Sequence, residues 1–104
     1  MIVSMDGDVP GREVAEILGI ARGNIVRARF VGRDFVAGLR NLVGGEVTEY
    51  TKLLEETRDE AFDRMVTDAK KMGADAVLTF RFSTSTIMEG TSEILAYGTA
   101  VKLK

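Results

Sequence analysis

The alternation of apolar and polar positions changes period along this chain, and each change marks an element. Met1 to Gly11 is a short arm. Ile2 and Val3 can join a sheet, while Asp6-Gly7-Asp8 and Pro10-Gly11 are turn chemistry. From Arg12 to Ala21, Val14, Leu18 and Ile20 share one parity and Ala15, Ile17, Gly19 and Ala21 the other, with Glu16 interrupting the first face. This predicts a strand that is apolar on much of both faces. Gly23-Asn24 suits a turn or bulge, and Ile25 to Phe30 extends the strand beyond it.

A helical period then takes over. Asp34 is a candidate N-cap for a short helix over 35–43, with Phe35, Val36, Leu39, Leu42 and Val43 on one face. Gly44-Gly45 ends it, because glycine tolerates the left-handed conformation of a helix terminus. A longer helix is predicted from Glu46 or Thr48 to Met72. Tyr50, Leu53, Leu54, Ala61, Met65, Ala69 and Met72 form its main stripe, widened by Phe62 and Val66, and Gly73 closes it. Period two returns from Ala74 to Thr84, with Ala76, Leu78, Phe80 and Phe82 pointing one way. Residues 83–86 and 88–92 read as a hairpin connection. Glu93 to Leu103 is the last strand, with Leu95, Tyr97, Thr99, Val101 and Leu103 on one face.

The order β-α-α-β-β over 104 residues predicts a single α+β domain covering 1–104. A helical crossover makes the first two strands parallel, and a hairpin makes the third antiparallel to the second. The expected architecture is two-layered, a three-stranded sheet in order 1-3-2 with helices on one face. The other face, apolar or small in composition, should be buried by further copies of the chain.

Charge and chemistry narrow the function more than they define it. Asp plus Glu is 16 and Lys plus Arg is 14, a net charge of −2, which is no footprint for nucleic acid or an anionic membrane. No apolar run approaches the roughly 20 residues that span a bilayer, and the first residues lack the pattern of a secretory signal. A cytoplasmic location is the expectation. Cysteine and histidine are both absent. That removes thiolate chemistry, the usual general base at neutral pH and the preferred ligands of soft metals.

The remaining constellations each have a plain reading. Met65 and Met72 could form a thioether pair for copper(I), but core filling by a flexible side chain explains them better. Glu55, Glu56, Asp59, Glu60 and Asp63 crowd two turns of the long helix. A hard cation could relieve them, yet Lys52, Arg58 and Arg64 offer simpler neutralisation. Ser83-Thr84-Ser85-Thr86 has no histidine to activate a hydroxyl. Arg58 falls inside the apolar arc of the long helix, where a charge must find a partner or snorkel out. It is expected to pair with a carboxylate of another element or another chain. Arg33 and Arg40 straddle the short helix and read as surface first, ligand second.

The segments GRDFVAGLRNLVGGE, YTKLLEETRDEAFDRM, KKMGADAV and EILAYGTAV, in that order, resemble the YbjQ-like family of small bacterial and archaeal proteins. The resemblance covers essentially the whole chain. It implies a dodecin-like subunit that assembles as a homopentamer, a ring built around a β-barrel, and some descriptions of the family carry a heavy-metal-binding label. It brings no enzymatic activity, so no catalytic residue, metal ligand or cofactor is assigned. Arg58, Arg40, Asn41 and Tyr97 are the candidate interface or ligand residues. The expected function is a non-enzymatic homo-oligomer that binds a small ligand or ion at its subunit contacts. The alternatives are a dodecin-like carrier of an aromatic cofactor and an enzyme with its site at an interface.

Overall fold

The computed structural model of the chain describes residues 1–27, 48–88 and 91–104. The segments of period two are strands and the segment of period 3.6 is a helix. They are β1 (Ile2–Val3), β2 (Val14–Arg27), α1 (Thr48–Lys71), β3 (Ala76–Met88) and β4 (Thr91–Leu103). The short helix expected over 35–43, with Asp34, Arg33, Arg40, Asn41 and the Gly44-Gly45 stop, lies outside the described residues.

Among the described residues the strands form one mixed sheet in the order β1-β3-β4-β2. Both β2 and β3 run antiparallel to β4, and β1 is parallel to β3. This corrects the expected three-stranded sheet of a barrel ring. The arm supplies a fourth strand, and the sheet is open, with β1 and β2 as its outer strands. Ile2 and Val3 do join the sheet, and backbone hydrogen bonds along the arm fix them beside β3. Ser4 N–H donates to the Val77 carbonyl at 2.8 Å, Thr79 N–H to Asp6 at 2.9 Å and Phe80 N–H to Ser4 at 3.0 Å.

The arm holds β3 at a break in its ladder. Register is lost between Leu78 and Arg81, and Thr79 there has φ of 54°. A β-branched residue in that region is a backbone outlier. The extra residue of a bulge reverses the parity of everything beyond it. Ala76 and Leu78 therefore face one side of the sheet, while Phe80 packs on the opposite side with Val77. The expectation that Ala76, Leu78, Phe80 and Phe82 share one face fails for this reason. The hydroxyl residues 83–86 are also corrected, since they lie within β3 and not in a connection.

α1 lies on one face of the sheet, above β2 and β4. Its Ala61, Met65 and Ala69 are fully buried against Ala21, Ile25, Ile94, Ala96 and Ala100. Gly23 had read as a turn or bulge. Instead it sits in the middle of β2, under the helix. A Cβ there would collide with the Ala61 carbonyl, the Met65 backbone nitrogen and the Arg64 Cβ. Gly98 allows a similar approach on β4, where a Cβ would run into Val77 and lie 2.9 Å from the Leu78 carbonyl. The helix ends as glycine predicts. Gly73 has φ of 81°, and Ala74 N–H reaches back to the Ala69 carbonyl at 3.1 Å, closing the last turn.

Candidate functional site

On the sheet face away from α1 the cover is partial. Val9, carried by the arm, packs on Ala76, Leu78, Val101 and Leu103 at one end of that face. Further along, the antiparallel register sets Ile20 opposite Thr99, Arg22 opposite Tyr97, Asn24 opposite Leu95 and Val26 opposite Glu93. Ile20 is 62% exposed, Val26 52% and Tyr97 36%. These are large apolar groups on regular strands, where one face is expected to be buried. Asn24 donates from Nδ2 to Glu93 Oε2 at 3.2 Å across the same face. The patch is thus an apolar surface with polar groups among its members.

A second feature lies along the outer side of β2. Between that strand and α1 runs an open groove of about 390 Å³, lined by Arg22, Asn24, Asp63, Arg64, Asp68 and Lys71 among others. Two of its walls are fixed by hydrogen bonds. Arg64 Nη1 donates to the Asn24 carbonyl at 3.0 Å, and Asp68 Oδ2 accepts the Arg22 N–H at 3.0 Å. Arg64 also lies 3.9 Å from Glu60, a longer and largely exposed contact of modest value.

The candidates named from the sequence do not converge. Arg58 is exposed on α1, and its place in the arc is taken by Thr57, which is 2% exposed. Thr57 satisfies its hydroxyl by donating to the Leu53 carbonyl one turn back, at 2.8 Å. Arg58 has no ion pair among the described residues. Tyr97 lies on the far face of the sheet from α1, so one chain does not bring the two together. Arg40 and Asn41 are outside the described residues. Sequence reasoning missed Arg22, Arg64 and Asp68. Their signal was the i,i+4 spacing of opposite charges at Arg64 and Asp68.

Among the described residues the rings of Phe62, Phe80 and Phe82 meet edge to face, while Tyr97 is exposed on the open face. Phe62 meets Phe80 edge to face at 5.4 Å between ring centres, and Phe80 meets Phe82 likewise at 4.9 Å. Edge-to-face contacts of this kind are favourable, and Phe82 remains 41% exposed beyond them.

A model of the YbjQ family, described as "Putative heavy-metal-binding", matches residues 1–104. The chain belongs to the YbjQ family. A UPF0145 protein of Archaeoglobus fulgidus is 57% identical over 104 residues, covering 100% of this chain and 96% of that protein. One from Methanosarcina acetivorans is 54% identical over 103 residues, covering 99% and 97%. One from Thermotoga maritima is 53% identical over 104 residues, covering 100% and 98%. A crystal structure of a protein of unknown function from Pediococcus pentosaceus, ascribed to the DUF74 family, matches with a TM-score of 0.65 at 13% identity. That match covers 100% of this chain and 98% of the other, and it speaks for the fold alone.

The metal in the YbjQ description can be tested against the donors this chain has. It contains no Cys and no His. Among the described residues no three Asp or Glu side chains gather into a cation site. Of the two methionines considered for copper, Met65 is fully buried in the helix–sheet core, and Met72 packs against the same core. Soft thiolate and imidazole donors select heavy metals, and this member of the family lacks them. The donor set does not fit the description. No helix of the described residues is long and apolar enough to cross a membrane.

Proposed function

We propose that this chain is a non-enzymatic subunit of a closed homo-oligomer, holding a small ligand or ion where copies meet. The observation that carries this reading is the open sheet face, where Ile20 and Tyr97 are exposed as diagonal neighbours across the β2–β4 ladder and Val26 is exposed farther along β2. Large apolar groups left exposed along one sheet face mark an interaction site. A second copy is the simplest cover, since closed symmetric assemblies are the common form of soluble oligomers. Five copies is the number that the family resemblance implies.

The non-enzymatic reading is supported by composition. A neutral-pH general base of the histidine type and a thiolate nucleophile are both absent. The hydroxyls of Ser83 to Thr86 lie along β3, where successive side chains alternate between faces and cannot form a cluster with one base. Arg22 and Asn24, which border the open face, and Arg58, exposed on the helix, are the polar groups available to a ligand at a contact between chains.

Analytical ultracentrifugation tests the assembly. A single species several times 11.3 kDa at micromolar concentration is expected. A stable monomer under those conditions overturns the proposal. Native mass spectrometry of the same sample reports whether a small molecule is retained.

A further inference from the structure

The outer edge of β2 carries a problem that its length makes acute. Among the described residues it is an outer strand of 14 residues, and every second residue of such a strand turns an N–H and a carbonyl away from the sheet. Those groups template the addition of another strand unless something blunts them. Two devices divide the strand between them. In its first half the ladder to β4 breaks register between Val14 and Glu16 and again between Ile17 and Gly19, where Gly19 has φ of 141°. Bulges of this kind twist an edge out of the geometry that a second strand needs.

The second half is regular from Gly19 to Arg27, and here α1 supplies the block. Arg22 and Asn24 have the same parity, so their backbone groups point to the same side. The Arg22 N–H is taken by Asp68 and the Asn24 carbonyl by Arg64. The match is geometric. Two residues of a strand span about 6.6 Å, and four residues of a helix span about 6 Å. An acceptor and a donor placed four apart on a helix therefore meet a donor and an acceptor two apart on a strand running the other way. The helix comes close enough for this because Gly23, between the two, has no side chain.

From this we infer that the Arg64–Asp68 pair closes the β2 edge by imitating the next strand, and that its occupant when opened is the β2 edge of a second copy. A carboxylate stands where the incoming carbonyl would sit, and a guanidinium where the incoming N–H would sit. An identical edge presents the complementary groups, so two opened copies can pair antiparallel. This inference does not depend on the assembly proposed above, which uses a face of the sheet and not this edge.

The test compares the unaltered protein with an Arg64→Ala/Asp68→Ala double variant by light scattering at equal concentration. The variant should grow to at least twice the mass of the unaltered protein, whatever that mass is. Adding Arg22→Pro to the double variant should restore the original mass. Proline there removes an outward N–H without touching the ladder to β4, which is how edge strands tolerate it. A folded double variant of unchanged mass overturns the inference, and so does growth that the proline leaves in place. Should the variant not fold, hydrogen exchange on the unaltered protein decides. The Arg22 amide should exchange at least tenfold more slowly than a free amide, and exchange at the free-amide rate overturns the inference. A monomeric unaltered protein would count against the proposed assembly while leaving this comparison intact.

Discussion

The two faces of the sheet are built from different residues, and the difference explains where this chain is finished and where it is not. Under α1 the positions are small: Ala21, Gly23, Ala96 and Ala100, meeting Ala61, Met65 and Ala69. The opposite face carries Ile20, Val26, Leu95 and Tyr97, which are larger and more exposed. Small residues let backbones approach, so the helix face gains its stability from close packing. Large apolar residues left in water contribute nothing until something covers them. One face is a completed core. The other leaves large apolar groups exposed.

The comparison breaks most severely at Gly23. Gly23→Val puts a branched side chain where even a Cβ collides with helix backbone, and backbone cannot rotate away. The helix must lift from β2, taking the Arg64 and Asp68 hydrogen bonds with it. A loss of at least about 3 kcal/mol is expected, at the upper end of overpacking effects. For a chain of this size that lowers the melting temperature by roughly 12–24 °C. Thermal unfolding followed by circular dichroism measures it. A shift under 5 °C would show that the close approach is not what it seems from the geometry.

On the other face the same kind of change should spare the fold and strike the assembly. Ile20→Lys with Tyr97→Lys adds charge to positions that are already exposed, so the lone chain should lose no more than about 0.5 kcal/mol per site. Association should weaken by at least about 2 kcal/mol, the scale of a central interface residue. Sedimentation at several concentrations separates the two effects. An assembly of unchanged mass would remove this face as the contact.

Much of this contrast was legible from alternation alone. The long helix and the last strand were readable because their periods run unbroken for several turns or pairs. That Ile2 and Val3 can join a sheet was legible, but their partner strand was not, since two residues carry no period and their hydrogen bonds come from backbone. The bulge at Thr79 was hidden for a different reason. A strand's pattern reports faces only while the register holds, and one extra residue reverses it. Gly23 looked like punctuation because glycine usually is, and only the approach of the helix shows that it fills no turn. Of the candidate site, Tyr97 sits on the open face as a member of its strand pattern. Arg58 was misplaced within the arc by one helical position, which Thr57 occupies.

Arg58 gives a finer test of where the chain ends and the assembly begins. It is exposed on α1, so Arg58→Ala should change the stability of the lone chain by no more than about 0.5 kcal/mol. Melting curves at low and high protein concentration make the distinction. A deficit that appears only at high concentration places a carboxylate partner on another copy.

The smallest expected effect is none at all, and it bears on the family's description. Zinc, copper(II) and cadmium are held tightly by thiolate and imidazole, with carboxylates as companions more than as sole ligands. Neither of those donors occurs anywhere in these 104 residues. The open face offers an amide, a phenol and a carboxylate at Asn24, Tyr97 and Glu93, and Asn24 and Glu93 are already bonded to each other. Assembly could bring copies of such groups together, but it cannot create a sulfur or imidazole ligand. Titration calorimetry of the assembled protein with each ion should therefore give no stoichiometric site of sub-micromolar affinity. Such a site for any of the three would mean that oxygen donors from several chains suffice, and the ligand at the subunit contacts would then be the metal itself.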